Sequence, residues 1–214
     1  MSWRALREAR RYVLWALLAD TVVVLSGRRA GWMAASAAAA SLLFFRDPER
    51  SLDPEADLVY ATADGVIVGV DETSDPWMAD RALRLSTFLS LHNVHVIRSP
   101  LAGRISADEE ITGGFAPAFL GRSAQNLRKR LAIDGNSGRV VVVQIAGMLA
   151  RKITSWTHLG AGVDAGERVG LIHLGSRTEV LLPADRFQAL VRPGQRVKAG
   201  VTPIARSVTD GART

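Results

Sequence analysis

The sequence predicts a mainly β domain over residues 51–214, preceded by an N-terminal hydrophobic helical hairpin over residues 1–50, and three observations carry that reading. Two apolar stretches, Tyr12 to Ser26 and Ala30 to Phe45, follow one another with only Gly27-Arg28-Arg29 between them. From Asp57 onward, β-branched and apolar runs recur between Gly, Pro, Asp and Asn, which is the punctuation of strands and turns. Two later segments, Val163-Asp164-Ala165-Gly166-Glu167-Arg168-Val169-Gly170 and Val191-Arg192-Pro193-Gly194-Gln195-Arg196-Val197-Lys198-Ala199-Gly200, echo one another as turns.

Each apolar stretch of the hairpin is roughly 22 to 24 Å long as a helix. That falls short of roughly 30 Å of hydrocarbon, and Asp20 makes a span costlier still. Arg4, Arg7, Arg10 and Arg11 precede the first stretch, and Arg46 and Arg50 follow the second. Such basic flanks belong at a cytoplasmic surface. The expectation is a hairpin that dips into the membrane, or spans it twice with both ends inside. A cleaved signal peptide ranks lower, because Ala19-Asp20-Thr21 is a poor cleavage site.

In the β domain the strand candidates are Val66-Ile67-Val68-Gly69-Val70, Leu89 to Ile97, Val140 to Ile145, Val169 to Leu174 and Thr178 to Leu182. Phe115 to Leu120, with glycines before it and Pro117 inside, reads as a loop. Arg122, Arg128, Lys129 and Arg130 read as a solvated basic face ahead of a phosphate or headgroup site. The Val191 to Gly200 turn is similar to that of a barrel-sandwich hybrid, with the Val163 to Gly170 turn its weaker echo.

At 214 residues the chain holds one well-buried domain and an appendage. It has no cysteine, which excludes a disulfide scaffold and a thiolate metal site. The net charge is +6 and the pI near 10.6. The arginines are dispersed or sit beside apolar segments, with few aromatics among them after Trp77, so the charge points to anionic lipid and not to nucleic acid. That attraction is about 1 kcal/mol per basic residue near the surface.

The chemistry centres on His173-Leu174-Gly175-Ser176-Arg177. Glycine has no Cβ to obstruct a hydroxyl approaching its carbonyl, so Gly175-Ser176 suits an N-to-O acyl shift. Taken alone, the pair is also a common turn. Asp64, in Ala61-Thr62-Ala63-Asp64-Gly65, and His95, in Leu91-His92-Asn93-Val94-His95, supply the carboxylate and imidazole that activate a serine.

Three ordered segments resemble the phosphatidylserine decarboxylase family in its short bacterial form: Phe44-Phe45-Arg46-Asp47-Pro48-Glu49-Arg50, then Ala63-Asp64-Gly65 with Asn93-Val94-His95, then Gly175-Ser176-Arg177 running to Leu182-Pro183. The resemblance implies a proenzyme that cleaves itself between Gly175 and Ser176, leaving chains 1–175 and 176–214 associated. It makes Ser176 the precursor of a covalent pyruvoyl group, His95 the base and Asp64 its orienting partner. The pyruvoyl carbonyl would form a Schiff base with the amine of phosphatidylserine and accept the electrons freed as carbon dioxide leaves, giving phosphatidylethanolamine. No metal is implied, and the place is the cytoplasmic face of the cell membrane. A homo-oligomer is compatible with the resemblance.

The match has departures. Thr62 stands where the family carries proline, Ile97 where many short members carry asparagine, and the run from Ser123 to Arg128 lacks a glutamate. His92 is similar to a second histidine of longer members and is a candidate for protonating the decarboxylated product. On a strand, its spacing from His95 would put the two on opposite faces.

Two other readings stand beside this one. A membrane-tethered biotinyl- or lipoyl-like carrier without catalysis would share the barrel-sandwich turn, but Lys198 and Lys152 lack a modified lysine's hairpin setting. A zinc hydrolase would draw on His92, His95, His158 and His173 with Asp64, yet His-x-x-His on a strand does not aim both rings at one metal.

Overall fold

The computed structural model describes residues 2–27, 31–78, 81–114, 125–147, 152–173 and 176–208. The chain divides into two compact units between Glu49 and Arg50.

The first unit holds α1 (Trp3–Leu25) and α2 (Gly31–Phe44). α1 begins well ahead of its apolar stretch because Ser2 caps it, its Oγ accepting the Ala5 N–H at 3.3 Å. The arginines that follow are good helix formers. The Tyr12 and Phe45 rings lie 5.2 Å apart, and Phe45 meets Phe44 edge-on at 5.0 Å. No described helix is long and apolar enough to cross a membrane. That corrects the spanning form of the hairpin. Charges at Arg4, Arg7, Glu8, Arg10, Arg11 and Asp20 interrupt α1, and the 14 residues of α2 are too few.

The second unit is mainly β. Its first strands are β1 (Leu58–Tyr60), β2 (Gly65–Thr73), β3 (Ala82–Leu89), β4 (Val96–Arg98) and β5 (Gly103–Ile111). After them come β6 (Arg128–Gly135), β7 (Gly138–Ala146), β8 (Ile153–Ser155), β9 (Gly162–Val163) and β10 (Arg168–Ile172). The last are β11 (Ser176–Pro183), β12 (Phe187–Ala189), β13 (Arg196–Val197) and β14 (Pro203–Ser207). The large sheet runs β13-β2-β3-β11-β7-β6-β5-β9, and two small sheets run β4-β10-β8 and β1-β14-β12. All the named pairs are antiparallel.

The run from Leu89 to Ile97 is not one strand, as expected above, but the end of β3, a turn and the start of β4. Ser90 makes the turn: its N–H donates to Asn93 Oδ1 at 3.0 Å, and Asn93 N–H returns to Ser90 O at 2.9 Å. The expected solvated basic face is also partly a strand. Arg128, Lys129 and Arg130 open β6, in register with Ile111, Glu110 and Glu109 of β5, and Lys129 pairs with Asp108 at 2.7 Å. The loop expected over residues 115–120, and Arg122, lie outside the described residues.

Side chains of the large sheet and the β4-β10-β8 sheet share one core. Leu85, Leu89, Val142, Val180 and Leu182 meet Ile97 and Ile172 there. Each such buried aliphatic side chain contributes about 1.5–3 kcal/mol. A second cluster, with Met78, Val141, Val143 and Leu181, covers the other face of the large sheet.

The two echoing turns pack against each other. Gly166 and Gly200 hold φ of +76° and +62°, and a Cβ on Gly200 would stand 3.0 Å from the Gly166 Cα. Positive φ and this close approach both demand glycine.

Candidate active site

Asp64 sits in the bend between β1 and β2, where Ala61 N–H donates to Thr202 O and Gly200 N–H to Ala61 O. Its carboxylate accepts from both terminal nitrogens of Arg50, at 2.7 and 2.8 Å. It also accepts the Ala199 N–H at 2.9 Å. The side chains of Arg50 and Asp64 are only 10% and 14% exposed. The carboxylate is held by Arg50 and by the backbone of the 191–200 turn.

Ser176 opens β11, with Leu89 of β3 on one side and Ala146 of β7 on the other. Alternation along the strand sends Ser176, Thr178, Val180 and Leu182 to the inner face. Arg177 and Glu179 face outward, paired at 2.6 Å. Ser176 is fully buried, and its Oγ has no hydrogen-bond partner among the described residues. Two residues on, the Thr178 and Thr62 hydroxyls are 3.4 Å apart. Thr62 O in turn accepts the Arg98 N–H at 2.9 Å. The Asp64 bend, β4 and the Ser176 face of β11 are thereby joined.

His95 directly precedes β4 and is fully buried. Its carbonyl accepts the Ile172 N–H at 3.2 Å, extending the β4–β10 ladder. In that register His95 falls on the same face as Ile97, the face that meets the large sheet in the shared core. Its Nδ1 lies 2.9 Å from Asn93 O. With Nδ1 protonated on that carbonyl, Nε2 is left as the basic nitrogen.

The other histidines stand apart. His92 is exposed on the Ser90–Asn93 turn, its ring within 3.2 Å of Ser90 Oγ. His158 is exposed. His173 is buried, with Nε2 3.1 Å from Thr154 Oγ1. It falls on the face of β10 opposite that of Ile172, so the set named for zinc is spread over a turn, a loop and two faces. Gly175 lies outside the described residues.

Arg50 is a site residue that the sequence placed in the basic flank and at the end of the shared segment without giving it a role. Its signal was the shared segment Phe44 to Arg50 together with a carboxylate at Asp64 that burial obliges to be paired.

The sequence model of the family described as phosphatidylserine decarboxylase matches residues 38–205. The chain belongs to the phosphatidylserine decarboxylase family. The matched stretch contains Asp64, His95 and Ser176 as well as Arg50. A phosphatidylserine decarboxylase proenzyme of Symbiobacterium thermophilum is 46% identical over 167 residues, 76% of this chain and 77% of its own length. One of Streptomyces coelicolor is 40% identical over 209 residues, 95% of this chain and 92% of its own. One of Thermobifida fusca is 41% identical over 169 residues, 79% and 74%. Membership in this family sets the carrier reading aside.

Proposed function

We propose that this chain is a self-processing phosphatidylserine decarboxylase whose covalent pyruvoyl group comes from Ser176. The observation that carries the reading is the Ser176 hydroxyl, fully buried and without a partner among the described residues. Such a hydroxyl costs about 1–3 kcal/mol, and a serine kept only for folding would be bonded or replaced by alanine.

His95 takes the Ser176 proton at Nε2, the nitrogen turned away from Asn93. The freed oxygen attacks the Gly175 carbonyl, and the peptide bond becomes an ester as the Ser176 nitrogen takes up a proton. β-Elimination then releases Gly175 as a carboxylate, and hydrolysis of the dehydroalanine left at position 176 yields the pyruvoyl group and ammonia. Asp64 and Arg50 act on this centre as positioning residues: they fix the bend whose Thr62 meets Thr178. Once formed, the pyruvoyl carbonyl supplies an electron sink for loss of carbon dioxide from the serine headgroup of the lipid. His92, exposed beside Ser90 at the end of β3, is the proposed proton donor to the decarboxylated product.

The fragment 176–214 stays with 1–175 because β11 is an inner strand of the large sheet, bonded to β3 and β7. β13 and β14 likewise pair with β2 and β1. The facing sheets and paired glycine turns support a barrel-sandwich-hybrid architecture. The two N-terminal helices form a hairpin lying on the anionic, cytoplasmic face of the cell membrane. Trp3, Trp15, Leu25 and Trp32, all more than 70% exposed, offer its apolar contacts.

Intact mass under denaturing conditions tests the reading. Wild type gives fragments meeting at Gly175 and Ser176, the smaller lighter than its encoded mass by one ammonia, and Ser176→Ala gives a single inactive chain. A Ser176→Ala protein that still cleaves would refute it.

A further inference from the structure

Gln144 is the one polar side chain in the run Val140 to Ile145, and it is fully buried. Neither its Oε1 nor its Nε2 has a hydrogen-bond partner among the described residues. It stands on β7 in register with Thr178 of β11, two residues before Ala146, the register partner of Ser176. Gln144 and Ser176 therefore share the inner face of the sheet as diagonal neighbours. The amide reaches across the core towards β10: a Cβ on Gly170 would meet Gln144 Oε1 at 3.3 Å. Gly170 is two residues from Ile172, the ladder partner of His95.

Folding alone does not account for this amide. The Thr178 hydroxyl beside it contacts Thr62 instead, and an apolar side chain of equal length would fill the space without stranding a donor and an acceptor. Buried polar groups are bonded as a rule, and an exception calls for a ligand or a buried water. The unprocessed chain thus carries two adjacent unmatched polar groups on one face, the Ser176 hydroxyl and the Gln144 amide.

We infer that Gln144 is a binding residue of the processed centre. A primary amide presents a donor and an acceptor side by side. Its complement is a ligand offering an acceptor and a donor together, as the keto oxygen made from Ser176 and the N–H of the substrate's primary amine do. Gln144 Nε2 donates to the keto oxygen, and Oε1 accepts from the amine. The inference rests on the pyruvoyl reading of Ser176.

The test uses full-length Gln144→Met beside wild type, with intact mass for cleavage, thermal unfolding for stability, and decarboxylation of phosphatidylserine in mixed micelles. Phenylhydrazine, which reacts with the pyruvoyl carbonyl without substrate, reads the keto oxygen directly. The expected result is complete cleavage, a Tm equal to or above wild type, slower reaction with phenylhydrazine, and kcat lower by about 100-fold, as for loss of one donor aimed at developing charge. Wild-type kcat in a cleaved Gln144→Met protein would overturn the inference and leave the amide to a buried water. So would an uncleaved or less stable variant, which would make Gln144 a part of the precursor's fold. Failure of wild type itself to cleave would bring down the pyruvoyl reading and this inference with it, whereas an active wild type beside an equally active variant brings down this one alone.

Discussion

Arg50 holds Asp64 in a two-point ion pair, 2.7 and 2.8 Å, and the same guanidinium donates to Ala199 O at 2.6 Å. Ala199 N–H completes the ring at Asp64 Oδ1. Three segments far apart in sequence are closed on one another there: the start of the β unit, the bend before β2 and the 191–200 turn. With both side chains nearly buried, removing the cation strands a carboxylate. Arg50→Ala is expected to destabilise the protein by about 3 kcal/mol and to slow cleavage at Ser176. Arg50→Lys keeps the charge without the planar fork and should recover only part of both losses. Denaturant midpoints and a cleavage time course measure the two effects, and an Arg50→Ala protein as stable as wild type would show the ring to be dispensable.

The different settings of His95 and His92 predict different losses. His95→Gln removes the base from the inner face while keeping a polar group of similar size, so the chain should fold and remain a single uncut polypeptide. His92→Ala alters an exposed turn and should leave cleavage intact while lowering decarboxylation by about 100-fold, within the range that general acid catalysis contributes. Mass spectrometry of both proteins, followed by turnover of the cleaved one, separates the roles. Full cleavage of His95→Gln would remove His95 from the processing step.

The strands easiest to read from the sequence were those buried by the core. β7 carries the buried β-branched run Val140 to Val143, and β10 and β11 carry the buried apolar runs Leu171-Ile172 and Val180-Leu181-Leu182. β5 and β6 were not read, since Glu109 and Glu110 on one stand opposite Arg130 and Lys129 on the other across the ladder, and a pairing of that kind cannot be seen in either segment alone. At the site, the ion pair between Asp64 and Arg50 was not legible. Arg50 looked like one more cation beside an apolar stretch, and only the closure of three distant segments gives it a carboxylate. The 191–200 turn, read for architecture, supplies Ala199 to the same ring.

Asp134 and Arg139 close the β6–β7 hairpin in register with each other, at 2.7 and 3.0 Å. The Arg139 hydrogen bonds hold the Asp134 carboxyl below its ordinary value of 3.8, against a smaller opposing effect of burial. A carboxyl depressed in the folded state stabilises fully above its unfolded value, and that contribution disappears as pH falls through the folded value. Both side chains are over 40% exposed, so the pair contributes less than about 1 kcal/mol. Asp134→Asn should lower Tm at pH 7 by about 2 °C, with the gap closing below about pH 4. A gap that persists unchanged to pH 2 would show that the substitution acts on the hairpin turn and not on the charge.

Gly65 follows Asp64 and begins β2, where the β2–β3 ladder comes closest to the site. A Cβ there would lie 2.1 Å from Phe88 O and 2.9 Å from Thr87 Cγ2. The first of these is backbone, so no rotamer change relieves it. Gly65→Ala must push β2 away from β3 beside the Asp64 bend, and the expected loss is about 3 kcal/mol, the upper end for overpacking, accompanied by slower cleavage. Gly69, further along the same strand, is the internal control. Its nearest neighbour would be Asp71 Oδ1 at 3.4 Å, an ordinary contact, and an alanine there narrows the unfolded ensemble without a clash. Denaturant unfolding of the two variants should therefore give opposite results, a large loss for Gly65→Ala and little change or a gain for Gly69→Ala. Equal losses at both positions would mean that strand flexibility, and not the close approach of Phe88, is what glycine provides at position 65.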